Sequence, residues 1–180
     1  MVDSAPRLET ERLILRAHTV EDFGDVAAMW ASPVVVRYIG GRPSSHEESW
    51  ARLLRYRGSW ALLGLGFWAL CDKMSGAYLG EAGLMFAQRA LEPGFGKTPE
   101  AGWALVESAH GKGYGYEAVT TILRWADQQG IARTVCLIEP GNTPSIALAG
   151  RLGFSAYTRT TYHGVRVDLF ERWREGVRPA

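Results

Sequence analysis

The segment from Glu100 to Ile138 restricts the fold more than any other part of the chain. Glu100–Val106 reads as a strand. Tyr116–Gln129 carries Ala118, Val119, Ile122, Leu123 and Ala126 at helical spacing and is ended by Gly130, and Thr134–Ile138 is short and almost wholly apolar. A strand apolar on both faces must be covered on both. Two strands joined through a helix within one sheet run parallel, because a tight turn can only reverse the chain. At least one parallel crossover is therefore expected, inside a layered architecture of helices and sheet.

The flanking sequence supplies antiparallel companions. Leu13–Arg16 reads as a first strand. Thr19 with Asp22 is a helix cap, followed by Phe23, Val26, Ala27 and Trp30 at helical spacing, and Pro33 stops that helix. Ser45 with Glu48 forms an S-x-x-E capping box for a second helix, whose buried face is expected to be Trp50, Leu53 and Leu54. Gly66–Lys73 and Ala77–Phe86 read as two strands about a turn, and Ala87–Pro99 as a loop. Asn142 caps a short helix through Leu152, ended by Gly153, and Ala156–Tyr162 with Val165–Glu171 forms a closing hairpin. The order β-α-α-β-β-β-α-β-α-β-β predicts an α+β (mixed α/β) fold, a mostly antiparallel mixed sheet of about seven strands flanked by helices. A length of 180 residues fits a single domain, 1–180.

Composition removes several classes of function. Twenty Lys and Arg against nineteen Asp and Glu leave a net charge of +1, which offers no footprint for nucleic acid or an anionic membrane. The longest apolar run, Trp60–Leu70, is too short to cross a bilayer, and no signal peptide is visible, so a cytoplasmic location is expected. The two cysteines, Cys71 and Cys136, sit in apolar runs and read as buried reduced thiols. Four scattered histidines without HExxH or CxxC spacing point to no metal site.

The chemistry concentrates at His110-Gly111-Lys112-Gly113-Tyr114-Gly115, between an apolar strand and an amphipathic helix. A helix start leaves its first N–H groups without partners and carries roughly half a positive charge. Glycines let an anion approach that backbone, and Lys112 adds a cation. The match to a P-loop fails, and the match to a dinucleotide fold is weak, which leaves a nucleotide-dependent oxidoreductase a distant third reading. Gly96-Lys97-Thr98 has Leu91 where a P-loop needs glycine, and Gly111, Gly113 and Gly115 bring the third glycine of G-x-G-x-x-G one residue early.

The segment resembles the pyrophosphate loop Gln/Arg-x-x-Gly-x-Gly/Ala of the GNAT superfamily of acyl-CoA-dependent N-acyltransferases, with His110 at its first position. Gly102-Trp103, Gly111–Gly115 and Glu117-Ala118 resemble the Rim-type branch, which acetylates ribosomal proteins. So do Glu11-Arg12-Leu13-x-Leu15-Arg16, Asn142-x-x-Ser145 and Leu152-Gly153-Phe154, in the same order along nearly the whole chain.

That resemblance implies acetyl transfer from acetyl-CoA, the co-substrate, to a primary amine, by direct attack on the thioester. The acceptor is a protein N-terminus or a small-molecule amine, and a homodimer is an allowed assembly. Cofactor-binding positions implied are the backbone of Leu105 and Val106, the loop residues His110, Gly111, Lys112, Gly113, Tyr114 and Gly115, and, nearby, Asn142 and Arg151. Ser145 matches a serine that protonates the departing thiolate; its plain alternative is a first-turn helix contact. Glu100 is the candidate base, with Glu81 second, against the plain alternative of a carboxylate paired with Lys or Arg. The tyrosine that many members place five residues before the Phe of Gly-Phe is Ala149 here, which keeps a catalytically inactive CoA-binding module as the other reading.

Overall fold

A computed structural model of the chain describes residues 4–177. One eight-stranded sheet runs in the order β1-β2-β3-β4-β5-β6-β8-β7. Its strands are β1 (Leu8–Glu9), β2 (Leu13–Arg16), β3 (Phe67–Asp72), β4 (Tyr78–Met85), β5 (Glu100–Leu105), β6 (Arg133–Ile138), β7 (Ser155–Tyr162) and β8 (Val165–Trp173). The extra strand relative to the expected seven is β1, two residues that pair with Leu15 and Ile14 of β2. The helices are α1 (Phe23–Ala31), α2 (Pro33–Val36), α3 (His46–Leu63), α4 (Tyr114–Gln128) and α5 (Thr143–Arg151). Pro33 ends one helix and begins the next, since its ring suits the first helical position, where no N–H is needed.

All neighbouring strands are antiparallel except β5 and β6, the parallel pair expected from the central segment. That pair is joined at a single register point, Glu100 opposite Val135, where the Val135 N–H donates to the Pro99 carbonyl at 3.0 Å. Beyond it the strands part, β5 remaining laddered to β4 and β6 to β8. The opening faces the C-terminal end of β5, where the glycine loop begins.

Two apolar layers cover the sheet. On one face Leu13, Leu15, Trp68, Leu70, Leu84 and Ala101 pack against α4, whose buried residues include the five read from its periodicity. Trp60, Trp68 and Trp125 meet edge to face there at 4.6–5.6 Å between centroids, and the Trp60 and Trp68 indole N–H groups donate to the carbonyls of Phe67 and Pro6. On the other face Ala69, Tyr78 and Ala104 pack against Val26, Met29, Trp30 and Leu53 of α1 and α3.

The capping box of α3 forms as read: Ser45 Oγ accepts the Glu48 N–H, and Glu48 accepts the Ser45 N–H. Its buried face differs. Leu53 is buried as expected, but Trp50 and Leu54 are exposed, and Ser49, Tyr56 and Trp60 turn inward beside Leu53. Ser49 and Tyr56 tolerate burial because each has a partner, the Ser45 carbonyl at 2.9 Å and the Glu81 carboxylate.

Candidate functional site

The glycine loop connects β5, through a single turn at Glu107–Ala109, to the start of α4. Among the described residues the backbone N–H groups of Gly111, Lys112, Gly113, Tyr114, Gly115 and Tyr116 donate to no protein acceptor, and the first to do so is Glu117, to the Gly113 carbonyl. Six consecutive free donors at a helix N-terminus make an anion cradle. Gly111 and Gly113 sit at φ +71° and +81°, and a Cβ on Gly111 would point into open space. Gly115 has a different reason to be small: a Cβ there would lie 3.3 Å from both Leu105 and Leu148.

The loop is braced from the far end of the chain. Arg12 donates to the Glu117 carboxylate (Nε–Oε2 2.7 Å) and to the Lys112 carbonyl (2.9 Å), and its guanidinium lies 4.5 Å from the centre of the Tyr114 ring. The Thr10 hydroxyl and the Arg12 N–H also donate to Glu117. Burial raises the Glu117 carboxyl, but these donors outweigh it and hold it below the usual carboxylate range. Arg12 and Glu117 carried the family resemblance; their joint role as a brace lay outside the sequence reading, since the two are far apart in the chain.

On the approach to the loop, beyond the Glu100–Val135 bridge, strand alternation turns the main-chain groups of Trp103 and Leu105 to the open edge of β5. Val106 is different: its N–H donates to the Leu79 carbonyl at 3.0 Å, so that group is not free. The Leu105 carbonyl meets His110 Nε2 at 2.9 Å, which ties the loop's first residue to the strand. Lys112 is exposed and forms no ion pair among the described residues. Arg151 stacks over the Tyr116 ring at 4.3 Å, beside the helix start.

A cavity of about 670 Å³ lies where β5 and β6 separate. Five consecutive residues of β5, Glu100 to Ala104, line it together with Cys136–Glu139, so it passes the strand's edge and reaches both faces of the sheet. Asn142 caps α5 by accepting the Ser145 N–H at 3.2 Å, and both residues line the cavity. Ser145 Oγ accepts from the Trp103 indole N–H at 3.2 Å, which leaves the serine's own proton free to be donated. Ala149 is fully buried among apolar side chains, so no hydroxyl stands at that position.

Glu100 lies in the cavity wall, bound bidentately by Arg89 (Nε–Oε2 2.6 Å, Nη2–Oε1 2.7 Å), and Arg89 also donates to the Tyr162 hydroxyl at 3.1 Å. The pairing with an arginine, weighed above as the plain alternative, is therefore present. Each carboxylate oxygen retains a second acceptor position. Glu81 is fully buried and accepts from the Tyr56 hydroxyl, the Tyr78 hydroxyl (3.1 Å) and the Trp30 indole (3.1 Å), with His18 Nε2 at 3.7 Å. Burial, then the Glu81 charge, pushes both phenols well above their usual range. Both cysteines are buried and free, and burial raises their thiols. No group of side chains suited to a metal occurs among the described residues, and no described helix is long and apolar enough to cross a membrane.

Residues 12–155 match the model of an acetyltransferase (GNAT) domain. A solved chain from Bordetella pertussis assigned to the GnaT family of acetyltransferases is 36% identical, with 93% of this chain and 99% of that one covered and a TM-score of 0.82. A Bacillus licheniformis protein described as an uncharacterized N-acetyltransferase, p20, is 27% identical over 82% of this chain and 81% of its own. Two more distant structures share the fold. The ribosomal-protein-S5-alanine acetyltransferase of Vibrio fischeri is 18% identical (TM-score 0.70; 97% and 100% covered), and the aminoglycoside acetyltransferase AAC(6')-Ib, solved with coenzyme A, is 16% identical (TM-score 0.72; 91% and 95% covered).

Proposed function

This chain belongs to the GNAT acetyltransferase family, and we propose that it transfers an acetyl group from acetyl-CoA to a primary amine, either a small-molecule amine or a protein N-terminus. The observation that carries the reading is the run of six free N–H groups at Gly111–Tyr116, set at the end of a strand whose edge opens into a cavity.

Acetyl-CoA, when bound, supplies the activated acyl group. The loop N–H groups and the α4 dipole hold its pyrophosphate, with Lys112 and Arg151 as flanking cations. The main-chain groups at the open edge of β5, Leu105 among them, orient the pantetheine, and Asn142 fixes the start of α5 so that Ser145 faces the cavity. Ser145, already accepting from Trp103, directs its proton to the departing sulfur. Glu100 accepts the proton leaving the amine, through water, while Arg89 keeps its carboxylate in one orientation. An inactive CoA-binding module is the second reading, favoured by Ala149 at the position where relatives hold a tyrosine.

The test is a thermal-shift titration with acetyl-CoA beside thiol detection of released CoA across an amine panel. A stabilising shift with turnover is expected. A shift without turnover of any amine selects the binding module, and no shift at millimolar acetyl-CoA overturns both readings.

A further inference from the structure

The helical wall of the cavity carries charge that the acetyl-transfer chemistry leaves unused. Arg52, Arg55, Tyr56 and Ser59 of α3 line it at i, i+3, i+4 and i+7, one stripe of the helix. That stripe holds two guanidinium groups and no carboxylate. The Arg52 guanidinium carbon lies 3.5 Å from the centre of the Trp30 ring, which sets its plane, and Arg52 Nε is buried without a hydrogen-bond partner. Neither Arg52 nor Arg55 forms an ion pair among the described residues. Both also line an adjoining surface recess of about 380 Å³. No nearby carboxylate bonds either of them, although the Arg52 charge helps to hold the Glu48 carboxyl low. Glu48, in that recess, is bound by Arg42 and the Ser45 N–H, and Glu100 by Arg89. The remaining lining carboxylate, Glu139, stands at the end of β6 beside the α5 cap and pairs with no cation among the described residues. The cavity thus presents cations along α3 and an unpaired carboxylate at the β6 end, while none of its lining residues belongs to the glycine loop.

From this layout we propose that the acceptor is a small primary amine that also carries an oxyanion, a carboxylate or a phosphonate, and that Arg52 and Arg55 hold that oxyanion. A guanidinium whose plane is set by stacking, which lines the cavity and which forms no ion pair, is prepared for a charge-assisted hydrogen bond to a planar or tetrahedral oxyanion. A polycationic acceptor would instead bring like charge against both arginines. This inference rests on the acetyl-transfer reading and narrows its acceptor.

The experiment measures CoA release with matched acceptors: the common amino acids and 2-aminoethylphosphonate, each beside its amide or its counterpart lacking the anion, together with spermidine and an uncharged peptide amide. The best acceptor is expected to carry the anion, and its neutral counterpart to show about ten- to a hundred-fold lower kcat/KM. Arg52→Met, which keeps a long unbranched side chain beside Trp30 but removes the charge, and Arg55→Gln should each shrink that selectivity mainly through KM. Circular dichroism and the acetyl-CoA thermal shift verify that the fold and the cofactor site persist in both. A preference for a neutral amine, for spermidine or for the peptide overturns the inference alone, as does equal loss of anionic and neutral acceptors in both variants. Acetyl-CoA binding with no acceptor turned over overturns the transfer reading and this one with it.

Discussion

Replacing Arg89 with Met tests whether the cavity wall depends on a buried ion pair. The Glu100 side chain is 6% exposed and that of Arg89 24%, with two N–H···O bonds of 2.6 and 2.7 Å between them. Removing one partner of a buried pair costs about 3–5 kcal/mol, because the remaining charge stays desolvated. The cavity beside Glu100 gives its charge access to solvent and Arg89 is itself a quarter exposed, so the cost falls at or just below the bottom of that range, about 2–3 kcal/mol. For a chain of this size that is a Tm loss of roughly 5–10 °C. Urea unfolding of wild type, Arg89→Met, Glu100→Gln and the double variant closes the cycle. The double variant should recover at least about 1 kcal/mol relative to the sum of the singles, since Arg89→Met then leaves no carboxylate behind. Strict additivity, or a loss below about 0.5 kcal/mol in Arg89→Met, would refute the reasoning. The same proteins decide the role of Glu100 in the reaction: Glu100→Gln should slow turnover most below the pH optimum, where the amine is protonated and a base is needed, and a uniform loss at every pH would reduce Glu100 to a partner of Arg89.

Gly111→Asp should abolish the acetyl-CoA thermal shift while the fold persists, at a cost of about 1–2 kcal/mol for a side chain at φ +71°, because that side chain enters open space at the cradle and adds like charge; normal binding would place the phosphates elsewhere. Gly115→Val should lower stability as well as binding, since its Cβ meets Leu105 and Leu148, and unchanged urea unfolding would contradict that packing. Ser145→Ala should lower kcat with acetyl-CoA affinity retained, and Trp103→Phe should give a smaller loss of the same kind; a change in affinity alone would reassign Ser145 to cofactor binding. Burial raises the Asp22 carboxyl, but the Arg16 guanidinium and the Thr19 N–H hold it below its usual value. Its contribution is therefore complete above about pH 4 and fades as pH falls through the lowered folded-state value. Asp22→Asn should flatten the acid limb of a stability–pH profile, and an unaltered limb would deny the linkage.

What was legible in the sequence is what local pattern encodes. The stripe of α4 and the Ser45–Glu48 box depend on residues within a few turns of each other, and both formed as read. The parallel crossover followed from the strand–helix–strand order. The face of α3 was legible only in part: Leu53 is buried as read, but its two apolar companions point the other way. Trp50 and Leu54 lie on the outside, while Ser49 and Tyr56 lie inside, where partners from an earlier turn and from β4 satisfy their hydroxyls. Spacing alone puts Arg52, Arg55, Tyr56 and Ser59 on one stripe of the helix, and only the fold turns that stripe to the cavity. The Arg89 partner of Glu100 sits in a loop without periodicity, so only three-dimensional proximity reveals it.

The brace on the glycine loop has a consequence for how the cradle comes into being. Thr10 and Arg12 are separated from Glu117 by more than a hundred residues of chain. Their contacts form only once the segment at the start of the second strand and the central helix dock, which requires closing a loop of more than a hundred residues. A peptide spanning just the strand, the glycines and the helix would carry the motif without its brace. On the proposed function, affinity for CoA is therefore a property of the assembled tertiary structure, and ligand binding would serve as a reporter of long-range native docking in any variant, however remote from the site.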